Sequence, residues 1–427
     1  MTTVFKSSSK TFVTTLLIAV GGFISSVITA RALGPDGRGL LSAALLIGTL
    51  AATFAQMGLS SSFVYYLGAA RPFNYYRMYW ASLIAVSLLA ALSAVAGIQF
   101  SHDASIHQHW ILIATYALFM SSYTYFSSIG QVQSDLNYMN FMRMAMVAGN
   151  LVFVVFLVLL YKSVDYQSIL ITQTFTVIAL TVSGIYWADK HGIWHLRAIS
   201  KASVSMGKVL HYALNQHGTV LLGVALLNFD KVVLLNMGTI AQYGYYAVAF
   251  STSRLIGSIQ DAISLSLFSH FAGKDLKLLG DKVRIAFRLT FVPMLLLAAI
   301  GAALSPWLIV WVYGKPFAPM AAPFAILLFE AVIGGGSWIL AQHFNAGGKP
   351  GAVLFRQVIS MLPVFALVPF IPQNHAYVDL ALLMLVAATV RLIVTLFMYP
   401  ITLKEPMPRI LPTWHDISLV KQTFTRQ

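Results

Sequence analysis

Apolar stretches of about twenty residues, separated by short polar connections, recur along the whole chain. They fall at roughly 12–30, 40–67, 79–98, 110–130, 144–161, 168–188, 211–236, 243–268, 289–305, 321–344, 355–371 and 377–398. About twenty helical residues cover the roughly 30 Å of a bilayer's hydrocarbon core. The runs are continuous and do not alternate at every second residue, which predicts helices and excludes barrel strands. The pattern therefore predicts an all-α polytopic membrane protein with about twelve transmembrane helices. The first run, TFVTTLLIAVGGFISSVITA, exceeds a signal-peptide core and has no clear small-residue cleavage site after it, so an uncleaved first span is expected.

Charge then orients the spans. Of the 27 Lys and Arg, about twenty fall in connections on one side, Arg356 among them, while Arg31, Arg38, Lys162 and Lys315 fall on the other. The positive-inside rule makes the richer side cytoplasmic, places both termini there and puts the segment ARALGPDGRG outside. Lys231, Arg254 and Arg391 are left within spans.

The longest cytoplasmic connection, DKHGIWHLRAISKASVSMGKVLH, divides the chain. The expected organisation is a six-helix bundle over 1–195, a linker over 196–210, a second six-helix bundle over 211–400 and a polar, proline-broken cytoplasmic tail over 401–427. LGPDGRGLLSAAL (33–45) resembles MGTIAQYGYYAVAF (237–250), so the halves read as repeats. Six is even, which makes the repeats parallel and sets their axis along the bilayer normal; such repeats around a central cavity are a transporter arrangement.

Composition agrees. The 427 residues are 58% hydrophobic and 9% charged, against about 25% charged in soluble domains, and the mean hydropathy is +0.78. A net charge of +14 in such a chain records basic cytoplasmic loops, and no nucleic-acid partner is expected. The absence of Cys excludes disulfides, thiolate metal sites and a Cys nucleophile.

Several short motifs then stand in a recognisable order: ARALGPDGRG between the first two spans, NFDKVVLLNMG leading to YGYYAVA, SPWLIVWVYGKPF, and FNAGGKPG. In that order the chain resembles the polysaccharide-unit flippases of the multidrug/oligosaccharidyl-lipid/polysaccharide (MOP) exporter superfamily, over nearly its whole length. The resemblance implies a bacterial inner-membrane transporter, not an enzyme. It would move a polyprenyl-pyrophosphate-linked oligosaccharide from the cytoplasmic to the outer leaflet for surface polysaccharide synthesis, two bundles alternating between inward- and outward-open shapes. The expected partners are that lipid-linked substrate, membrane lipid, and a polymerase or chain-length protein in the same membrane; no cofactor is expected.

A pyrophosphate needs a cationic cavity, because a bare charge at the bilayer centre costs at least about 2.5–3.5 kcal/mol. Arg suits it best, with a planar fork that binds phosphate oxygens two at a time and a charge that is never lost. The substrate-binding candidates are Arg31, Arg254, Arg391 and Lys231. Each Arg either meets the pyrophosphate or an acidic sugar, or neutralises a carboxylate in the structure. Arg31 ends the first span, where it can face the cavity mouth, while Arg38 and Asp36 decorate the turn made by Gly34, Pro35, Gly37 and Gly39.

Asp230, Asp261 and Glu330 are the acids expected to switch salt bridges, couple to an ion or stay paired with an Arg. Asp230 is expected near the depth of Arg254 across the hairpin at residue 240, Asp261 on the face of Arg254, and Gln56 opposite Asp261 in the other half. The glycines after Glu330 suit close packing or a bend. HDASIHQH (102–109) reads as loop before metal site, and AGGKPG lacks the spacing of a nucleotide loop. Tyr65, Tyr66, Trp80, Trp110, Trp187 and Trp307 sit at span ends as interfacial anchors.

Two other transporters stay open: a cation-coupled multidrug or metabolite antiporter of the same superfamily, which usually has an acid in its first span, and a peptidoglycan-precursor flippase, which commonly has two more helices. The first span here has no acid. A membrane glycan polymerase or ligase needs a larger external loop than any here.

Overall fold

The computed structural model describes residues 2–60, 62, 75–132, 136–161, 164–190, 206–271 and 276–412. Its helices are α1 (Thr2–Ala55), α2 (Tyr75–Ile98), α3 (Ala104–Gln108), α4 (Trp110–Val132), α5 (Leu136–Leu160), α6 (Tyr166–Lys190), α7 (Met206–Met237), α8 (Ile240–Phe271), α9 (Leu276–Tyr313), α10 (Ala321–Ala346), α11 (Pro350–Leu367) and α12 (Ala376–Met398). Residues 63–67 of the second expected span, residues 196–205 of the expected linker, residues 413–427 of the tail, and Tyr65, Tyr66 and Lys162 lie outside the described residues.

α1 is two helices. Gly34 breaks it with φ 66 and ψ −178, a conformation that suits a residue without a Cβ. Pro35 follows, with no N–H to give, and starts the second half as a first-turn proline. The break is confined to Gly34, so Gly37 and Gly39, expected in the turn, lie in the helix that follows. With α1 counted as two and the five-residue α3 set aside, twelve long helical segments remain, as the apolar pattern predicts. Among the described residues nine segments are long and apolar enough to span a membrane by length and composition, the split α1 counted as one.

The chain forms two compact units, one of Ile24–Gly244 and one of Met1–Phe23 with Tyr245–Gln427. In the first, α4 packs on α2 and α6, and α5 on α6. Hydroxyls and amides clip these apolar helices together: Ser87 Oγ lies 2.8 Å from Ser122 Oγ, and Gln56 Nε2 donates to the Ser121 carbonyl at 3.0 Å. In the connection after α2, Asp103 caps α3 through the Ser105 amide. His107 and His109 lie against the carbonyls of Ser101 and Ser105, at 2.7 and 2.8 Å.

In the second unit α10 is the centre, packed on both α9 and α12, with α11 on α12. Its segment is the most buried of the candidate spans, 61% against 50% for the next. The glycines after Glu330 permit that. A Cβ on Gly335 would collide with the Gln260 side chain of α8, and one on Gly336 would lie 2.6 Å from the Phe291 ring of α9. The expected close packing at these glycines is what the helices use.

Candidate substrate-binding site

A capping box sets the register of α8. Thr239 Oγ1 accepts from the Gln242 amide while Gln242 Oε1 accepts from the Thr239 amide, each at 3.3 Å. The helix then runs unbroken to Phe271 and carries Arg254 near its middle. Arg254 Nη2 donates to Glu330 Oε2 at 2.7 Å, a charge-assisted bond from α8 to α10. The Phe250 ring lies 4.4 Å from the Arg254 Cζ, one turn earlier on the same helix.

The other oxygen of Glu330 faces α12, with Arg391 Nη2 3.8 Å from Oε1. That distance is an ion pair but too long for a hydrogen bond. Gly334 lies beside this pair: a Cβ there would stand in ordinary contact, 3.5 Å from Arg391 Nη2 and 3.7 Å from Glu330 Oε1. Glu330 thus bridges two guanidiniums while only 2% exposed. The two cations differ in access. The Arg254 side chain is 37% exposed and that of Arg391 16%.

A third arginine stands beside them. Arg356, counted by the sequence as a cytoplasmic loop cation, is instead 1% exposed inside α11. Gly348, at φ 69, turns the chain and Pro350 starts α11 well before the expected edge at 355, which carries Arg356 into the bundle. Its Nη1 donates to Ser337 Oγ at 2.5 Å, the Ser337 carbonyl at 3.1 Å and Thr395 Oγ1 at 3.1 Å. Thr395 Oγ1 donates in turn to the Arg391 carbonyl at 2.6 Å. The signal that locates Arg356 in the sequence is the GGKPG start of the helix, which sets Arg356 more than one turn inside.

The remaining candidates lie elsewhere. Arg31 is exposed on α1. Asp230 is fully buried on α7, and Lys231 beside it bonds within its own helix, to Asn228 Oδ1 at 2.9 Å and the Leu227 carbonyl at 3.2 Å. The acid bridged to Arg254 is Glu330. Asp261, expected to share the face of Arg254, is exposed on α8 and lies within the field of the Arg254 charge. Gln56, opposite Asp261 in the repeat, is spent on the Ser121 carbonyl.

What the cluster offers chemically is positive charge inside a bundle of apolar helices, with one buried carboxylate, Glu330, between Arg254 and Arg391. Among the described residues no group of three or more His, Cys, Asp or Glu is placed to hold a metal ion.

Comparison with known proteins agrees with this frame. The family model described as polysaccharide biosynthesis protein matches residues 4–268, more than half of the chain. None of the curated proteins matches. Among solved structures, the fold is similar to the lipid II flippase MurJ in an inward closed conformation, with a TM-score of 0.68 at 14% identity over 90% of this chain and 86% of that one. It is similar also to an inward-facing multidrug resistance MATE family transporter of the MOP superfamily, with a TM-score of 0.66 at 12% identity over 91% and 94%. A third is a MOP superfamily transporter from Pyrococcus furiosus, for which reverse polarity of the binding pocket suggests a different function; its TM-score is 0.55 at 13% identity over 94% and 96%.

Proposed function

The chain belongs to the polysaccharide biosynthesis protein family, and from that premise we propose that it flips a polyprenyl-pyrophosphate-linked oligosaccharide from the cytoplasmic to the outer leaflet of the bacterial inner membrane. The family and the fold make it a multi-pass membrane transporter of the MOP superfamily with a part in polysaccharide synthesis. The observation that supports the finer reading is the cluster in which one buried carboxylate, Glu330, serves both Arg254 and Arg391.

The prenyl chain travels through lipid at little cost. The head does not, since it carries about two negative charges and a coat of hydroxyls. Arg254 supplies what the charge needs. It is held at one nitrogen by Glu330 and backed by Phe250, and more than a third of its side chain is open to a ligand. Arg391 stands behind Glu330 as the second cation. A pyrophosphate oxygen that displaces the Glu330 contact takes a planar, two-pronged donor and leaves the carboxylate paired with Arg391. On this reading both termini are cytoplasmic, and halves 1–195 and 211–400 move against each other to expose the cluster to one side and then the other.

A multidrug antiporter for cations needs an exposed acid in its cavity. Here Glu330 is 2% exposed and shared by two arginines, and the exposed acid on the helix of Arg254, Asp261, has that arginine's positive charge near it, which favours the anionic substrate. The test is in cells that make the polysaccharide. Arg254→Ala and Arg391→Ala abolish surface polymer while membrane abundance stays normal; full polymer in both variants overturns the assignment.

A further inference from the structure

Two cavities inside the unit Ile24–Gly244 take no part in the site described above. The first is polar and holds about 200 Å³. Ser101, His102 and Asp103, just after α2, line it on one side, and Thr239 and Tyr243, at the start of α8, on the other. The second is apolar and holds about 310 Å³; it runs along Leu46, Leu50 and Phe54 of α1, against Gly97 of α2, Phe100 and Val232 of α7. Leu46 and Phe54 lie eight residues apart, which makes this groove about 12 Å long at about 1.5 Å per residue. Phe54 and Phe100 stay exposed at its edge. The two cavities adjoin: Leu235 of α7 lines both, and Phe100 of the groove is followed directly by Ser101 of the pocket. Together they form one amphipathic site, a polar chamber at the end of the apolar segments and an apolar channel beside them.

Size and charge select the occupant. The chamber is smaller than the roughly 300–1,000 Å³ of a site for a drug-sized ligand, so it takes a small head and not an oligosaccharide. It is lined by one carboxylate, Asp103, and by no Lys or Arg. Asp103 Oδ1 accepts from the Ser105 amide at 2.8 Å, while Oδ2 has no hydrogen bond or ion pair among the described residues. His102 Nε2 lies 3.4 Å from Asn236 Nδ2, and His107 and His109 are turned to the Ser101 and Ser105 carbonyls. The charges just beyond the lining do not reverse the sign. Asp230 and Arg38 both act on Tyr243 and offset each other there, whereas Asp165 adds to Asp103 at Tyr166. An anionic head is repelled by such a chamber, so this is no place for the prenyl pyrophosphate proposed above. An ammonium is attracted, and a primary one brings N–H donors for a free carboxylate oxygen.

We infer that this site binds a membrane phospholipid whose head carries a primary amine: the ammonium meets Asp103 Oδ2 between the Ser101 and Thr239 hydroxyls, and one acyl chain lies along Leu46, Leu50 and Phe54. The phosphate stays at the mouth, on the side of exposed His102. Gly238, Thr239 and Ile240 of the α7–α8 connection line the chamber. Gly39 of α1 packs on the carbonyl of that same Ile240. A lipid bound here therefore ties the end of α2 to the place where α1 meets the start of α8, and it stabilises the fold by the free energy of its binding.

The experiment uses the full-length protein, stripped of lipid in detergent. Phosphatidylethanolamine, phosphatidylcholine and phosphatidylglycerol with the same acyl chains are titrated in mixed micelles, and affinity is read from the rise in unfolding temperature. Phosphatidylethanolamine binds tightest and phosphatidylglycerol weakest. Asp103→Asn keeps the cap on the Ser105 amide, since Asn caps a helix as well as Asp does. It lowers the preference for phosphatidylethanolamine over phosphatidylglycerol about fivefold, the upper end for a solvent-accessible ion pair. Ala96→Trp fills the groove from an exposed position on α2 and weakens all three lipids alike. Phosphatidylglycerol that binds the wild type as tightly as phosphatidylethanolamine overturns the inference, as does an unchanged preference in Asp103→Asn. A neutral glycolipid with the same chains that binds equally well assigns the chamber to sugar hydroxyls and rejects the amine. Soluble phosphoethanolamine that stabilises the protein as much as the lipid removes the groove from the site and overturns the inference too.

Discussion

Gly39 and Gly244 lie in the two like segments 33–45 and 237–250, and each lays a bare Cα against the other segment's backbone. A Cβ on Gly39 would collide with the Ile240 carbonyl, and one on Gly244 with the Pro35 carbonyl. Pro35 and Ile240 are themselves equivalent, each one helical turn before its own glycine. The contact is thus reciprocal, as expected where two like segments cross about a twofold axis. Both glycines are buried. Gly39→Ala and Gly244→Ala each cost about 1–3 kcal/mol by overpacking, because the obstacle is backbone and cannot swing away. Gly223→Ala, where nothing lies within 4 Å, is neutral or gains up to about 1 kcal/mol of helix propensity. Thermal unfolding in detergent separates the three, and an equal response from all of them refutes the crossing.

Glu330 is the keystone of its cluster, and its removal strands a cation. Glu330→Gln leaves Arg391 with no carboxylate partner and costs about 3–5 kcal/mol, the range for breaking a buried pair. Arg254→Gln costs much less, since that side chain is more than a third exposed and water screens it. The double variant Glu330→Gln with Arg391→Gln recovers part of the loss, because no charge is then left alone. Unfolding temperatures of the three variants check the order. Arg254→Gln as the most damaging would contradict the geometry.

The sequence made some of this legible and hid the rest for physical reasons. Arg254 and Arg391 stand out because a charge inside an apolar run is conspicuous, whatever it later touches. Arg356 does not, since it lies at the ragged edge of its run, where one turn decides between loop and core. The pairing of Arg254 with Glu330 joins residues 76 positions apart, and no local pattern encodes it. Asp261 was legible by periodicity, since seven residues return almost to the same face of a helix, and its carboxylate lies within the field of the Arg254 charge. The likeness of the segments around Gly39 and Gly244 was visible in the sequence, and only the fold turns the likeness into contact.

At the start of α6, Asp165 Oδ1 accepts from the Ser168 amide at 2.9 Å, a cap outside the span. Asp165→Ala costs about 1 kcal/mol at neutral pH. Hydrogen bonds from Ser168 hold this carboxylate below its ordinary range. The sign follows: the cap's stability is present above the ordinary carboxylate pKa and is lost as pH falls through the lowered value. Melting curves of wild type and variant therefore converge as pH falls below the ordinary carboxylate range. A gap that stays constant with pH assigns the loss to packing.

Transport on this scheme follows the membrane potential. Two negative charges carried toward a positive exterior release about 4.6 kcal/mol per 100 mV, from about 2.3 kcal/mol for each charge. Coupling to a proton needs a carboxylate that is alone for part of the cycle, but Glu330 is held on both oxygens and Arg391 stays beside it when substrate takes Arg254. Proteoliposomes loaded with a labelled prenyl-pyrophosphate saccharide test the point. With the protein oriented as in the cell, a potassium diffusion potential, positive on the exterior face, drives net flipping at equal pH on the two sides. A proton or sodium gradient at zero potential produces none. Glu330→Gln leaves the response to potential in place while lowering the yield of folded protein, so the driving force and the stability of the site are read separately. Flipping that follows a pH gradient at zero potential, and is lost in Glu330→Gln protein that is still folded, would reverse the assignment and make Glu330 the proton carrier.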